Sequence, residues 1–172
     1  MASNRPEFID NQNGNTLAEA INDYVGHLSE TLADDPDLAI ATGYFNPRGY
    51  FSVAEGLDAV GDVRILLGAE PPQKDRDRWR YPEEPRGEEY SQQRVDEALQ
   101  SLDKGLERDR DLLGFSRKVD TQLREMVEWL ESDAVEVRRY EDGFIHGKAY
   151  LFSHEQGVLA GSSNFTGAGL NS

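Results

Sequence analysis

The fold class follows from residues 38–67, which read LAIATGYFNPRGYFSVAEGLDAVGDVRILL. An apolar run from Leu38 to Tyr44 predicts a buried strand, and a second run from Val63 to Leu67 predicts another strand. Between them the spacing predicts a helix over residues 50–60, with an apolar face of Phe51, Ala54, Leu57 and Val60. A strand, a helix and a second strand in this order predict a parallel pair in an α/β domain.

On the amino-terminal side, residues 1–14 are expected to form a weakly ordered lead-in. Thr16 and Glu19 then form a capping-box pattern, and apolar residues at helical spacing predict a helix that ends near Leu32. We therefore expect one domain over residues 15–172. Residues 69–90 carry four of the seven prolines and almost no periodicity, which predicts a loop insertion in this domain.

The carboxyl-terminal half predicts two helices followed by three strands. The first helix carries apolar residues at Val95, Leu99, Leu102, Leu106 and Leu113. The second helix carries them at Val119, Leu123, Met126, Val127 and Leu130. The period then changes to two, which predicts strands over residues 135–140, 144–152 and 157–162. Both connections between these strands, residues 141–143 and 153–156, have the length of a hairpin turn.

Composition restricts the class of protein. The chain has 172 residues and 19.3 kDa, enough for one domain with one core. It contains no cysteine, which excludes disulfides, thiolate catalysis and cysteine-based metal sites. No run approaches the roughly 18 apolar residues of a membrane span, and the start lacks the layout of a secretory signal. We expect a cytoplasmic protein without membrane contact.

The net charge of −15 fits either an ordinary acidic protein or a salt-adapted surface from a high-salt cytoplasm, and we favour the second. In dilute buffer this surface would repel nucleic acid. At about 1 M salt the Debye length falls to about 3 Å, so repulsion between net charges hardly extends beyond contact. A polyanionic substrate is therefore compatible with the composition, provided that local groups bind it.

The candidate chemistry lies in two neighbouring segments. His146 and Lys148 are two residues apart on a predicted strand, so their side chains are expected on the same face. The next strand leads into the turn 161–167, which reads GSSNFTG and is rich in hydroxyl and amide groups. If the two strands pair, an imidazole, an ammonium group and several hydrogen-bond donors converge on one spot, which suits a phosphate oxyanion.

The motif His-x-Lys followed by Gly-Ser-Ser-Asn-Phe-Thr-Gly resembles the catalytic signature of the phospholipase D superfamily, in its nuclease and restriction-type branch. Domains of that branch also occur fused to helicases. The resemblance is strong from Ile145 to Gly169 and depends on the order of elements before residue 134. It implies half of a phospholipase D-like α/β/α sandwich, a mixed central sheet flanked by helices.

The resemblance also implies roles for individual residues. His146 would attack the phosphorus in line and form a phosphohistidine, while a second histidine protonates the leaving oxygen and later activates water. Lys148 and Asn164, with Ser162, would bind the non-bridging oxygens, so neither a metal nor a cofactor is required. The further substrate-binding candidates are Ser163, Thr166, Tyr44 and Arg48, although residues 43–49 equally fit an ordinary strand-to-helix turn.

The chain departs from the family pattern in three ways. The family usually has Asp five residues after the lysine, where this chain has Ser153. Only one motif is present, and neither His27 nor His154 has a lysine two residues later. A second motif is expected from a homodimer mate or from sequence beyond Ser172. The carboxylate that orients the histidine in the family is expected just beyond Ser172. We expect the chain to be part of a larger protein.

The leading hypothesis is a metal-independent phosphodiesterase that cleaves nucleic acid, DNA rather than RNA. It would be an endonuclease module, with a helicase as a possible carboxyl-terminal neighbour. One alternative is a catalytically degenerate domain for nucleic-acid binding or dimerisation, and another is a hydrolase of phospholipids or small phosphodiesters. Basic and aromatic residues at 76–80 fit either a binding site for single-stranded nucleic acid or a solvated loop.

Overall fold

A computed structural model describes residues 9–11, 15–68, 100, 104, 117–142, 145, 147–152 and 157–171. In these residues the chain forms four helices: α1 (Leu17–Thr31), α2 (Pro47–Leu57), α3 (Arg117–Leu130) and α4 (Gly167–Asn171). It forms five strands: β1 (Leu38–Thr42), β2 (Val63–Leu67), β3 (Val135–Arg139), β4 (Lys148–Phe152) and β5 (Gly157–Gly161). The predicted insertion at 69–90 and the helix predicted from Val95 to Leu113 fall outside the described residues, apart from isolated positions 100 and 104.

The five strands form one mixed sheet in the order β3-β2-β1-β4-β5. β1, β2 and β3 are parallel, while β4 is antiparallel to β1 and β5 is antiparallel to β4. The parallel pair predicted from residues 38–67 and the α/β class are confirmed. The carboxyl ends of the three parallel strands therefore lie at the same edge as the start of β4 and the end of β5.

The predicted pairing of the third and fourth strands as a hairpin is wrong. β3 pairs in parallel with β2, and β4 lies on the far side of β1. The intervening chain therefore passes from one side of the sheet to the other, along the carboxyl edge of β2 and β1. Connection length alone does not identify a hairpin, because the helix α3 before β3 returns the chain to the amino edge and so makes β3 parallel to β2.

The first helix confirms its sequence signal, and the second begins earlier than predicted. The Glu19 N–H donates to Thr16 Oγ1 over 3.2 Å at the start of α1. α2 begins at Pro47 because the Asn46 side chain caps it and proline suits the first helical position. This shift changes the buried face: Tyr50 and Val53 join the predicted Leu57 as its large buried members, while Phe51, Ala54 and Val60 are half-buried.

The described helices pack on one face of the sheet. The core there contains alternate residues of the central strands, such as Ile40, Ile65 and Tyr150, against the apolar faces of α1 and α2. Leu66, Leu151 and Val158, which point to the other face, are 39%, 43% and 57% exposed. Within the described part of the chain, no helix is both long and apolar enough to cross a bilayer.

Candidate active site

The sheet register brings the two predicted motif segments to the same edge. Lys148 at the start of β4 pairs with Gly161 at the end of β5. On its other side, β4 pairs Ala149 with Ala41, so Lys148 lies beside Thr42 one residue further along. The turn that follows β5 therefore begins next to the lysine, as the spacing of the two motifs predicts.

Thr42 is the centre of the hydrogen bonds at this edge. It is fully buried, and its hydroxyl accepts from the Phe165 N–H over 3.0 Å. The same hydroxyl lies 2.9 Å from the carbonyl oxygen of Tyr44 and 3.3 Å from Asn164 Oδ1, either of which can accept its single proton. Thr42 thus ties the turn after β5 to the turn after β1.

The carboxamide of Asn164 has a defined orientation. Its Oδ1 accepts from the Gly43 N–H over 3.1 Å as well as lying near the Thr42 hydroxyl. Because Thr42 and Gly43 contact the Oδ1 atom, the amide NH₂ group points away from these two residues. An NH₂ group donates hydrogen bonds, so this arrangement suits contact with an acceptor such as a phosphate oxygen.

Lys148 is buried, with 6% of its surface exposed. Lys148, Tyr150 and Phe152 share the helix-covered face of β4, which is the face on which Thr42 lies in β1. A lysine is rarely enclosed to this degree, because an ammonium group loses its hydration on burial and needs polar partners instead. Its position next to Thr42 places this lysine beside the turn that contains Asn164.

The two turns at this edge also pack against each other. Phe45 and Phe165 form a parallel bridge, and their rings stack with centroids 5.0 Å apart. Asn46 Oδ1 accepts from the N–H groups of both Gly49 and Gly167, so one side chain caps α2 and α4. A β-carbon at Gly49 would lie 2.5 Å from the Phe165 carbonyl oxygen, and only glycine permits this approach.

The remaining residues of the predicted turn have distinct environments. Ser162 is exposed, whereas Ser163 is half-buried and its carbonyl oxygen accepts from the Tyr150 hydroxyl over 3.2 Å. Burial raises the pKa of Tyr150 well above its ordinary value. The Thr166 hydroxyl accepts from the Gly169 N–H over 2.9 Å, so it caps α4.

His146, the predicted nucleophile, lies outside the described residues, as do Ser153 and His154. The described neighbours of residue 146 lie at the same edge of the sheet. A β-carbon on Gly68, which follows β2, would lie 2.5 Å from Ile145 Cδ1, and Lys148 begins β4 beside β1.

Tyr44 and Arg48, the other predicted contacts, belong to the turn after β1. Tyr44 is half-buried, and Arg48 is exposed at the second position of α2, with its Cβ against Gly167. Residues 43–49 and 161–169 contain no acidic residue. Glu141 and Asp142 follow β3, two strands away from β1. The surroundings of the two turns are therefore more favourable to an anion than the net charge indicates.

Sequence analysis did not identify Thr42, Gly43 and Asn46 as parts of the site. Thr42 is the one polar residue in a strand that is otherwise alanine, leucine and isoleucine, and this was the available signal. Asn46 before Pro47 matches a helix start, which was a second signal. Neither pattern reveals the partner across the sheet, because the contacts join residues about 120 positions apart.

Comparisons with models of protein families, with curated proteins and with solved structures find no match for this chain. Among the residues that the structure describes, no group of three or more His, Cys, Asp or Glu side chains is placed to hold a metal ion.

Proposed function

We propose that this chain is a phospholipase D-like phosphodiesterase domain that hydrolyses nucleic-acid phosphodiester bonds, DNA in particular. His146 attacks the phosphorus, displaces the leaving oxygen and forms a phosphohistidine, which water then hydrolyses. Lys148, Asn164 and Ser162 bind the non-bridging oxygens and stabilise the negative charge of the transition state. In this proposal the domain acts as an endonuclease module of a larger protein.

The observation that carries this function is that Lys148 and Asn164 both lie next to Thr42, Lys148 on the neighbouring strand and Asn164 in the turn after β5. An enclosed ammonium group and an oriented carboxamide at one strand edge are preorganised, so they need little rearrangement when charge develops on a phosphoryl group. The sequence places a histidine two residues before that lysine. A histidine with its ordinary pKa of about 6.5 is partly neutral near pH 7 and is then nucleophilic.

The reaction needs a second acid–base group, because the leaving oxygen must take up a proton. In this proposal the second histidine is His146 of another copy of the chain, so that two copies form one site. The family resemblance supports this arrangement. It also implies an α/β/α sandwich, in which a second layer covers the face bearing Leu66, Leu151 and Val158.

The test is hydrolysis of supercoiled plasmid DNA in the presence of EDTA, at neutral pH and in both low and molar salt. We expect nicking by the unmodified protein and its loss in His146→Ala. The matched control is His27→Ala, because His27 is half-buried on α1 and lies outside the proposed site. Because a phosphohistidine hydrolyses in acid, the covalent intermediate should be trapped with an alkaline quench.

Other outcomes distinguish the alternative functions. Cleavage that persists in His146→Ala would overturn the mechanism. Binding of DNA without hydrolysis, in a protein shown to be dimeric, would indicate a degenerate binding or dimerisation domain. Hydrolysis of a short-chain phospholipid by the unmodified protein, with no action on DNA, would assign a lipid or small phosphodiester substrate instead.

A further inference from the structure

A cavity of about 410 Å³ lies beside the outer edge of β5 and shares two residues with the candidate active site. Ser162 and Ser163 line it, and Asn164 is the next residue in the turn. Tyr150, whose hydroxyl bonds to the Ser163 carbonyl oxygen, lines it as well. A group bound in this cavity would therefore lie next to a phosphate held by Lys148 and Asn164.

Asn11 builds the far wall of the cavity. Its Oδ1 accepts from the Leu17 N–H over 3.0 Å, and its Nδ2 donates to the Gly169 carbonyl oxygen over 3.4 Å. Its φ of 56° lies in the left-handed region, which asparagine tolerates better than most residues. The side chain thus links the start of α1 to α4, and Ile9 packs against the core beside it.

The lining combines apolar surfaces with neutral polar groups. Ile9, Leu17 and Leu159 supply apolar area, and the serine hydroxyls and the Asn11 carboxamide supply hydrogen-bonding groups. Among the described residues that line the cavity, none is charged. An inorganic anion gains no ionic contact from this lining, and a hydrocarbon chain would bury the hydroxyls without partners. A volume near 400 Å³ is within the range of small-molecule sites.

From these features we infer that the cavity is a subsite for one nucleoside of the substrate, adjacent to the scissile phosphate. A nucleobase has apolar faces and hydrogen-bonding edges, and its sugar is neutral and hydroxylated, which matches both parts of the lining. This inference rests on the proposed function, because the position of the phosphate determines which substrate group enters the cavity. It adds to that function a pocket that distinguishes a nucleotide from a lipid phosphate.

Binding can be measured without turnover, from the methyl resonances of the unmodified, methyl-labelled protein. The probes are thymidine 5′-monophosphate, thymidine, inorganic phosphate and dihexanoyl phosphatidic acid. We expect the nucleotide and, at higher concentration, thymidine to shift the methyl signals of Leu17 and Leu159. Phosphate should leave them unchanged, and the Leu57 methyls in the core serve as an internal reference.

A second measurement uses substitutions that fill the cavity. Leu159→Trp should weaken nucleotide binding at least tenfold and leave binding of inorganic phosphate unchanged. Val127→Trp places the same side chain on the exposed surface of α3, away from the cavity, and is the matched control. If Leu159→Trp does not fold, the methyl shifts of the unmodified protein still decide the question.

The subsite is overturned if the nucleotide leaves the cavity methyls unshifted, or if only the lipid phosphate shifts them. Failure of the subsite can be distinguished from failure of the proposed function. Nucleotide binding in the cavity without any hydrolysis would contradict the proposed phosphodiesterase activity and support the nucleoside subsite. Hydrolysis of DNA by a protein whose cavity methyl signals do not shift with nucleotide would contradict the subsite and support the phosphodiesterase activity.

Discussion

The two ends of the sheet differ in charge and in how far side chains contribute to the hydrogen bonds between their turns. At the amino end, segments 32–37, 58–62 and 131–134 contain only acidic residues among their charged positions. Backbone bonds close these turns, for example from the Leu38 N–H to the Asp62 carbonyl oxygen and from the Val63 N–H to the Ala134 carbonyl oxygen. At the carboxyl end, side chains of Thr42, Asn46 and Asn164 add connections to the backbone bond from the Asn46 N–H to the Phe165 carbonyl oxygen.

This difference shows how an acidic protein can present a local site for an anion. Acidic side chains at the amino end disfavour polyanions, while the turns after β1 and β5 carry amides, hydroxyls and the cation Arg48, and Lys148 begins β4 at the same edge. Charges separated by more than about 10 Å are largely screened at 0.1 M salt, so the local groups decide where an anion binds. The following variants test this contrast, from the largest expected effect to the smallest.

The largest effect is expected for Lys148→Met. Methionine fills a similar volume without charge, so the fold should persist while the stabilisation of the transition state is lost. We expect DNA hydrolysis to fall about 10²- to 10³-fold, the usual loss on removing one preorganised donor. Single-turnover rates measure the effect. Lys118→Met, on the exposed surface of α3, should leave the rate unchanged, and an equal loss in both variants would contradict the assignment.

Thr42→Val removes the hydroxyl that joins the two turns and leaves the buried Phe165 N–H without its acceptor. The free energy of unfolding should fall by about 1–3 kcal/mol, as for a buried donor that loses its partner. Urea denaturation measures this change, and Thr42→Ser should restore most of the loss. Thr31→Val at the exposed end of α1 is the matched control, expected within about 0.5 kcal/mol of the unmodified protein. An equal fall in the free energy of unfolding in Thr42→Val and Thr31→Val would contradict a specific stabilising role of the Thr42 contacts.

Arg48→Gln should weaken DNA binding and lower the salt dependence of that binding. Removing one phosphate contact is expected to reduce the slope of log K against log salt by about 1. Asp62→Asn at the amino end changes the net charge by the same amount in the opposite direction and should leave the slope unchanged. Fluorescence anisotropy at several salt concentrations compares the two variants. A slope that changes equally in both would indicate that net charge, rather than position, governs binding.

The smallest effect concerns pH. Burial raises the pKa of Tyr150 in the folded protein, so above about pH 10 the unfolded chain loses this proton before the folded protein does. The unfolded state then binds fewer protons, and the free energy of unfolding falls as the pH rises above 10. Tyr150→Phe should make this decline shallower, at the cost of about 0.5–1.5 kcal/mol at neutral pH for the lost bond to Ser163. Unfolding curves of both proteins from pH 8 to pH 11 test the two expectations. An equally steep decline of the free energy of unfolding in both proteins would contradict the role assigned to the Tyr150 proton.

Most elements were predictable because their signals are local. The helix α1 follows from a capping residue and a regular apolar face, and β2 agrees with its prediction at both ends. The start of α2 was missed by three residues, because Pro47 was interpreted as part of a turn rather than as the first residue of a capped helix. The pairing of β3 was missed because strand neighbours depend on the path of the chain between them, which periodicity does not report.

The amino-acid sequence alone determined the α/β class, the approximate positions of the described elements and the pairing of β4 with β5, since spacing and hydrophobic period act over short distances. The tertiary structure alone decided that Thr42 and Asn46 connect the turns after β1 and β5 and that the acidic turns lie at the opposite end of the sheet. These features depend on hydrogen bonds between residues more than 100 positions apart, and such contacts exist only after the sheet has brought the strands side by side.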